Sequence, residues 1–320
     1  MALNNVDLYR IDGTIGSVTN IQTAAINGGP IAGTRNRVIG GSMAVDQRNA
    51  GASQTFTAAA ALAYSVDRWY GYCTGANVTG QRVQGATVGQ FRYQYTGAAS
   101  VTGIGFGHRI EQLNSADLAN STATLSVDLA NSLLTTVTWT AYYANTADTF
   151  GTLASPTRTQ FATGSFTVTS TVTRYSTQIS VPAAATTGIE IVFTVGAQTS
   201  GTWTIGNVQL EPGSTATPFE RRSYGQELAL CQRYYENFAD GVAGSTLFYT
   251  GSYATTPGGS NCNWQFKVTK RAIPTITQGA GSTAVTPANA QISTNNYCVI
   301  SNGVNLYFQL AANSTAVAEL

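Results

Sequence analysis

Residues 124 to 129, Thr-Leu-Ser-Val-Asp-Leu, decide the fold class, because polar and apolar residues alternate strictly along them. A period of two places successive side chains on opposite faces of a β-strand. The same alternation recurs in residues 137–141, 175–181 and 189–195. Clusters of Gly, Asn, Ser and Pro separate these runs at spacings typical of antiparallel sandwiches rather than βαβ units. We therefore predict an all-β chain built on two packed sheets.

Composition excludes several classes of protein. The chain has 320 residues, of which 43% are hydrophobic, 10% aromatic and only 10% charged, with a formal net charge of +1. Many aromatics and a small net charge argue against disorder. Because basic residues are few and scattered, we expect no nucleic-acid binding. We also expect no membrane insertion, since no apolar run approaches the roughly 18 residues that a membrane helix needs. Residues 1–13 carry Asn, Asp and Arg where a signal peptide needs a continuous apolar segment, so we expect no secretory leader.

Four segments are expected along the chain. Residues 1–36 have few aromatics and no sustained alternation, which indicates an extended arm that needs a partner surface. Residues 37–218 form the predicted sandwich, 219–238 a linker helix, and 239–320 a smaller C-terminal β domain. Within the sandwich, the apolar parity shifts across Gly206, as a β-bulge at a glycine would produce. In the last domain, Asn302-Gly303 predicts a hairpin turn.

The linker helix is predicted from its capping pattern. Ser223 stands three residues before Gln226, and Leu228, Cys231 and Tyr235 then follow at helical spacing, with Leu230, Tyr234 and Phe238 beside them. Two interpretations of this wide apolar surface remain open. The helix packs on its own sandwich, or copies of it meet around a symmetry axis.

Residues with catalytic chemistry are sparse. The single histidine, His108, has no accompanying nucleophile motif, so we interpret it as structural or solvent-facing. The run Gly103-x-Gly105-x-Gly107 lacks the spacing of a phosphate loop and is interpreted as a glycine-rich strand or turn. Six acidic residues lie in separate segments and are interpreted as structural carboxylates rather than a glycosidase pair: Asp67, Glu111, Asp128, Asp148, Glu190 and Glu211. We predict no catalytic residues, no metal ligands and no cofactor.

The four cysteines show no metal-binding or redox spacing. A disulfide between Cys262 and Cys298 is conceivable across neighbouring strands. Buried free thiols are the favoured alternative, because the sequence predicts no route to an oxidising compartment.

Carbohydrate binding needs flat aromatic faces together with neutral amides and hydroxyls. Tyr142 and Tyr143 are adjacent in a predicted strand, so one of them faces away from Trp139. We select five candidate sugar-binding residues, each of which has burial in a core or between subunits as its alternative: Tyr142, Tyr143, Tyr249, Tyr253 and Tyr307.

Several motifs together resemble those of tailed-bacteriophage fibre and appendage proteins. Residues 35–43 read Arg-Asn-Arg-Val-Ile-Gly-Gly-Ser-Met, and Asp46-Gln47-Arg48 and Asp67-Arg68-Trp69 follow. The closing part comprises residues 203–211, then 216–222 (Ala-Thr-Pro-Phe-Glu-Arg-Arg) and 227–235 (Glu-Leu-Ala-Leu-Cys-Gln-Arg-Tyr-Tyr). The resemblance extends from Arg35 to Phe238.

The resemblance implies a jelly-roll β-sandwich similar to carbohydrate-binding modules. It further implies a homotrimer whose N-terminal arm docks on other virion proteins and whose C-terminal part meets the host surface. Related modules often hold a structural calcium with an Asp in the closing strand, where this chain has Asn207, an amide without the charge that favours a hard cation.

The resulting hypothesis is a non-enzymatic virion protein, made in the host cytoplasm, that attaches to host polysaccharide or lipopolysaccharide. The alternative is an architectural adaptor, spacer or capsid decoration protein without receptor binding. A depolymerase tailspike fits less well, because the chain shows no repeat of fixed period.

Overall fold

The structure is a computed structural model that describes residues 35–237, 260–279, 290–301 and 314–320. The predicted arm, except for its last two residues, and the predicted turn at Asn302-Gly303 lie outside these ranges. None of the helices within them is both long and apolar enough to span a membrane.

Strands dominate the described residues, as the alternation predicts. The strands before the long helix are β1 (Gln54–Phe56), β2 (Ala63–Tyr64), β3 (Trp69–Thr74), β4 (Val78–Gln84), β5 (Phe91–Thr96), β6 (Gly103–Ile110), β7 (Ser121–Asn131), β8 (Thr136–Ala144), β9 (Arg158–Thr167), β10 (Thr173–Val181), β11 (Ile189–Val195) and β12 (Thr202–Pro212). The later strands are β13 (Tyr235–Asn237), β14 (Ser260–Gln265), β15 (Thr275–Thr277), β16 (Ala290–Ile292), β17 (Asn296–Ser301) and β18 (Thr315–Val317). The helices are α1 (Gln112–Ser115) and α2 (Tyr224–Gln232), with 3₁₀ turns at Ala116–Leu118 and Ala183–Thr187.

Two six-stranded antiparallel sheets form the sandwich. Sheet I has the strand order β1-β4-β5-β12-β7-β10, and sheet II has the order β2-β3-β6-β11-β8-β9. Neighbours such as β7 and β12, or β8 and β11, are distant in sequence, which is the crossed connectivity of a jelly roll. The predicted all-β jelly-roll sandwich is confirmed.

The core between the sheets is rich in stacked aromatic rings. Trp69 and Tyr93 both stack on Phe106, with centroid distances of 4.8 and 5.1 Å, and Tyr95 stacks on Trp203 at 5.5 Å. All five rings are buried. Such offset contacts add stabilisation to the burial of large apolar areas. The predicted apolar face of residues 124–129, now part of strand β7, lies in this core, since Leu125, Val127 and Leu129 are fully buried.

The predicted bulge lies in strand β12. The register with β7 shifts between Gly206 and Gln209, and Asn207 adopts a φ of 46°, in the left-handed region. The bulge turns the Asn207 side chain toward strand β7, where its amide nitrogen donates to Asp128 Oδ2 at 2.7 Å.

Helix α2 begins as predicted but is shorter. Ser223 is its N-cap and accepts a bond from the Gln226 amide at 3.4 Å. The helix ends at Gln232, and Tyr235 belongs to strand β13, which pairs with β18. The predicted extension to Phe238 is therefore wrong for residues 233–237, because the backbone groups of Tyr235–Asn237 are taken by β18. The helix packs within its own chain, as one of the two interpretations proposed, against Ile39 and Val45.

The later strands form two three-stranded sheets, of order β13-β18-β15 and β14-β17-β16. Cys262 pairs with Val299, and Cys298 with Asn263, so the two cysteines lie on neighbouring strands but are not register partners. Cys73 and Cys231 are buried free thiols, as favoured from the sequence.

Candidate functional site

The outer face of sheet II carries a patch of tyrosine, threonine and charged residues that we call the tyrosine face. It is built from register rows across strands β3, β6, β11 and β8, together with Arg158 of β9. Its members are Tyr70, Tyr72, Gly105, Gly107, Arg109, Thr138, Thr140, Tyr142, Arg158, Glu190, Val192 and Thr194.

Two glycines form the floor of this face. Tyr72 lies opposite Gly105 and Tyr70 opposite Gly107 in the pairing of β3 with β6. A Cβ at Gly105 would lie 2.1 Å from Tyr72 Cζ, and one at Gly107 would lie 2.2 Å from Tyr70 Oη. Both tyrosine rings therefore lie across the neighbouring strand. The glycine-rich run is a strand, as the sequence indicated, and its glycines make room for aromatic rings.

Glu190 anchors one end of the tyrosine face. This fully buried carboxylate accepts bonds from Tyr70 Oη at 2.6 Å and from Arg109 Nε at 2.7 Å, and it also pairs with Arg158. Burial raises the pKa of Tyr70, so its hydroxyl remains a neutral donor. Glu190 thus fixes the ring of Tyr70 and the two guanidinium groups.

Tyr142 and Tyr143 point to opposite sides of sheet II. Tyr142 lies on the tyrosine face, with the Arg158 guanidinium 4.2 Å from its ring centroid. Tyr143 packs against the core and stacks with Phe161 at a centroid distance of 6.4 Å. Both tyrosines are partly exposed. The other candidates, Tyr249, Tyr253 and Tyr307, lie outside the described residues.

Tyr72 is the aromatic residue that sequence reasoning missed. It is partly exposed, and Arg158 and Tyr142 are both close enough to act on the pKa of its hydroxyl, which burial raises overall. The available signal was the alternation Tyr70-Gly71-Tyr72, which places both tyrosines on one face, opposite the buried Trp69. Tyr72 therefore lies on the same face of sheet II as Tyr142 and Arg158.

Replacing Gly105 with Ala is expected to lower the free energy of unfolding by about 1–3 kcal/mol, the usual cost of overpacking. The new methyl group would displace the Tyr72 ring from the floor. Gly103→Ala in the same strand is the matched control, since its Cβ would meet only the Thr74 hydroxyl, at 3.2 Å, and the Val195 carbonyl, at 3.6 Å. Urea denaturation of both variants measures the difference, and equal losses would contradict the packing of Tyr72 on Gly105.

His108 is structural, in line with the sequence interpretation. Its Nε2 lies 2.8 Å from the Ile39 carbonyl oxygen, to which it donates. Burial and the nearby Arg68 charge hold the pKa of His108 well below its usual range, so the imidazole is neutral.

Each of the six acidic residues singled out in the sequence pairs with arginine. The pairs are Asp67–Arg48, Glu111–Arg233, Asp128–Arg92 and –Arg174, Asp148–Arg271, Glu190–Arg109 and –Arg158, and Glu211–Arg35. Such pairing favours structural roles for these carboxylates.

The surroundings of Asn207 do not suit a calcium ion. Its amide donates to Asp128, and Arg92 and Arg174 flank that carboxylate at 3.2 Å each. Two guanidinium groups beside one carboxylate repel a divalent cation. Within the described ranges, no group of three or more His, Cys, Asp or Glu residues is placed to hold a metal.

No family model matches the sequence, and no curated protein matches it. Among solved structures, the chain is similar to the enzymatically active domain of tailspike protein 4 of bacteriophage CBA120, with 18% identity over 46% of this chain and a TM-score of 0.32. That alignment spans only 19% of the tailspike chain.

Carbohydrate-binding modules are also among the similar structures. A family 11 module from Clostridium thermocellum, in complex with a β-1,3-1,4-mixed-linked tetrasaccharide, shows 14% identity over 52% of this chain and all of its own, with a TM-score of 0.32. The C-terminal family 22 module of Clostridium thermocellum Xyn10B shows 11% identity over 58% of this chain and 99% of its own, with a TM-score of 0.32.

Proposed function

We propose that the tyrosine face binds a glycan of the host cell surface and that the chain is a subunit of a tailed-phage fibre or appendage. The observation that carries the binding proposal is the pair of partly exposed rings, Tyr72 and Tyr142, on one polar strand face. Aromatic rings cover the apolar side of a pyranose, and hydroxyl or guanidinium groups bond its oxygens.

The space between the two rings has the chemistry of a sugar site. Tyr72 is on β3 and Tyr142 on β8, with β6 and β11 between them. Tyr72 is level with Thr138, and Tyr142 lies four residues further along β8, so the two backbones are roughly 20 Å apart, about 14 Å across the strands and about 13 Å along them. Thr138 and Thr194 are partly exposed along this path, and Arg158 lies on the Tyr142 ring. These groups suit a neutral or weakly charged sugar chain running across the strands.

The virion role is supported by the motifs that resemble phage appendage proteins. In the fold, three of these motifs are in contact. Gln47 Nε2 donates a hydrogen bond to Asp67 Oδ1. The Arg68 guanidinium lies 3.6 Å from the ring centroid of Tyr234, and the Arg48 guanidinium lies 3.6 Å from that of Tyr235. We propose a homotrimer attached to other virion proteins through residues 1–36. Three copies would multiply weak sugar contacts by avidity. The pairing of the carboxylates with arginine supports a non-enzymatic role.

Binding is tested with Tyr72→Ala and Tyr142→Ala variants of the full chain on an array of purified bacterial lipopolysaccharides and capsular polysaccharides. Each substitution is expected to weaken binding by about tenfold, since a sugar-stacking ring contributes about 1.4 kcal/mol. Tyr224→Ala is the matched control, because Tyr224 is 60% exposed on α2 and is not part of the tyrosine face. Equal losses in all three variants would overturn the assignment of this face.

The architectural alternative predicts a different result on the same array. An adaptor or decoration protein would bind none of the glycans, yet would still assemble. Light scattering on the full chain is expected to give three times the chain mass of 33.5 kDa. A monomer at low micromolar concentration would contradict the trimer.

A further inference from the structure

The outer face of sheet I, on the opposite side of the sandwich, contains a second concave surface that we call the threonine groove. It has a volume of about 420 Å³ and crosses strands β4, β5, β12 and β7. The residues of its floor are Arg92, Gln94, Ala130, Ser132, Thr202 and Thr204. The end of β4 at Gln84 and the β9–β10 connection at Val172 form its walls. A groove of this size is in the range of small-ligand sites.

The floor presents hydrogen-bonding groups in a fixed arrangement. Gln94 Nε2 donates to Thr204 Oγ1 at 3.0 Å, and these residues are register partners on β5 and β12. This bond leaves the Gln94 carbonyl oxygen as an acceptor and the Thr204 hydroxyl as a donor. Ser132 Oγ accepts from the Thr202 amide at 2.8 Å and donates to the Thr202 carbonyl oxygen at 3.4 Å, which fixes this hydroxyl at the edge of the floor. The floor therefore offers one amide oxygen as an acceptor and one hydroxyl as a donor to a ligand.

The groove differs from the tyrosine face in one decisive respect. None of the residues that the structure places around it is aromatic, and Arg92 is the single charged residue among them. A ligand held here is recognised by hydrogen bonds and charge rather than by ring stacking.

The charge balance beside the floor is positive. Along one register row, Asp128 lies between Arg92 and Arg174, each 3.2 Å from one of its oxygens, and also accepts from Asn207. Two cations thus face one anion. Arg92 lies across Gly206, where a Cβ would be 2.7 Å from its Cγ, and its buried Nε has no hydrogen-bond partner among the described residues. The guanidinium group is held in place between Gly206 and Asp128.

We propose that the threonine groove is a second glycan site, which takes a sugar bearing a carboxylate, of the uronic or sialic acid type. The carboxylate would meet Arg92, and the ring hydroxyls would bond Gln94 and Thr204. A carboxylate suits this cationic end of the groove, where Arg92 and Arg174 share one Asp128, because charge-assisted bonds are about twice as strong as neutral ones. This site uses no residue of the tyrosine face, so the loss of binding at one site would leave the proposal for the other unchanged.

The test is calorimetric titration of the full chain with three probes: oligogalacturonate, an α-2,8-linked sialic acid oligomer, and the same oligogalacturonate with its carboxyl groups reduced to alcohols. Binding of an acidic oligomer is expected to be about tenfold or more tighter than that of the reduced one. The two acidic probes distinguish a uronic from a sialic ligand. Equal affinities for all three, or no binding of either acid, would overturn the proposal.

Variants locate the binding. Thr204→Val and Gln94→Leu keep the volume of the floor while removing its hydrogen-bonding groups, and each is expected to weaken acid binding about fivefold or more. Thr138→Val, on the tyrosine face, is the matched control and is expected to change nothing. Arg92→Gln is a further variant, whose affinity for the acidic probes is interpreted only if its unfolding curve matches that of the native chain. Acid binding that survives Gln94→Leu but is lost in Tyr72→Ala would assign the acid to the tyrosine face and overturn the groove.

Discussion

Replacing Glu319 with Gln is expected to lower the free energy of unfolding by about 3–5 kcal/mol, the usual loss when a buried ion pair is broken. Glu319 pairs with Arg68, and their side chains are only 5% and 1% exposed. A neutral amide at position 319 would leave the Arg68 guanidinium buried without its counter-charge. Water cannot replace that partner, because the site is enclosed.

The surroundings of this pair explain why the effect should be large. Arg68 also donates to the Arg109 carbonyl oxygen at 2.5 Å and stacks on Tyr234. Arg48 Nη2 donates to Glu319 Oε1 at 3.0 Å. One carboxylate therefore satisfies two arginines and joins the last described segment of the chain to the sandwich.

Asp117→Asn is the matched control for Glu319→Gln. Asp117 pairs with Arg37 through side chains that are 57% and 20% exposed, so the same change from carboxyl to amide is made in water. An exposed pair contributes little, and the expected loss is below about 1 kcal/mol. Chemical denaturation of both variants measures the contrast, and a loss in Glu319→Gln as small as that of the control would contradict the buried pair.

The strands were predictable because their signal is local. The alternation that buries Leu125, Val127 and Leu129 needs only neighbouring residues to be read. The end of α2 was not predictable in this way, since it depends on pairing between Tyr235 and Val317, which are far apart in sequence. The helical spacing of apolar residues continues past Gln232, but the backbone of residues 235–237 is hydrogen-bonded to the distant strand β18.

The candidate site was predictable only in part. The adjacency of Tyr142 and Tyr143 required one ring to point away from the face of Trp139, and Tyr142 is the one on the polar face. Tyr72 was missed because its role depends on Gly105, a residue on another strand that leaves space for its ring. The Arg68–Glu319 pair was unpredictable for the same reason, because its partners are 251 residues apart and no local pattern joins them.

Asp67 gives the second large effect, a dependence of stability on pH. Burial raises the pKa of Asp67 to about 6 from its usual 3.8, although Arg48 and two hydrogen bonds from Gln47 act in the opposite direction. The folded chain therefore holds a proton at Asp67 between about pH 4 and pH 6 that the unfolded chain releases. Stability from this group is fully present below pH 3.8 and is lost as the pH rises through about 6.

Asp67→Asn isolates this contribution, because an amide does not titrate. The free energy of unfolding of the native chain, relative to that of Asp67→Asn, is expected to fall by roughly 2.4 kcal/mol between pH 4 and pH 7, since each unit of pKa shift is about 1.4 kcal/mol. Urea denaturation of both proteins at several pH values measures this difference, from which the other titrating groups cancel. A difference that stays constant, or that rises with pH, would contradict a carboxyl group protonated by burial.

Gln47→Ala provides a companion test of the same cause. Gln47 Nε2 donates to Asp67 Oδ1 at 2.9 Å and stabilises the charged form of the carboxyl group. Without this bond the pKa of Asp67 rises further, so the fall in stability should extend to higher pH. Arg48 remains 3.6 Å from Asp67 in both proteins, so the change reports the loss of the side-chain hydrogen bond. A fall displaced to lower pH would contradict the role of this bond in stabilising the charged carboxyl group.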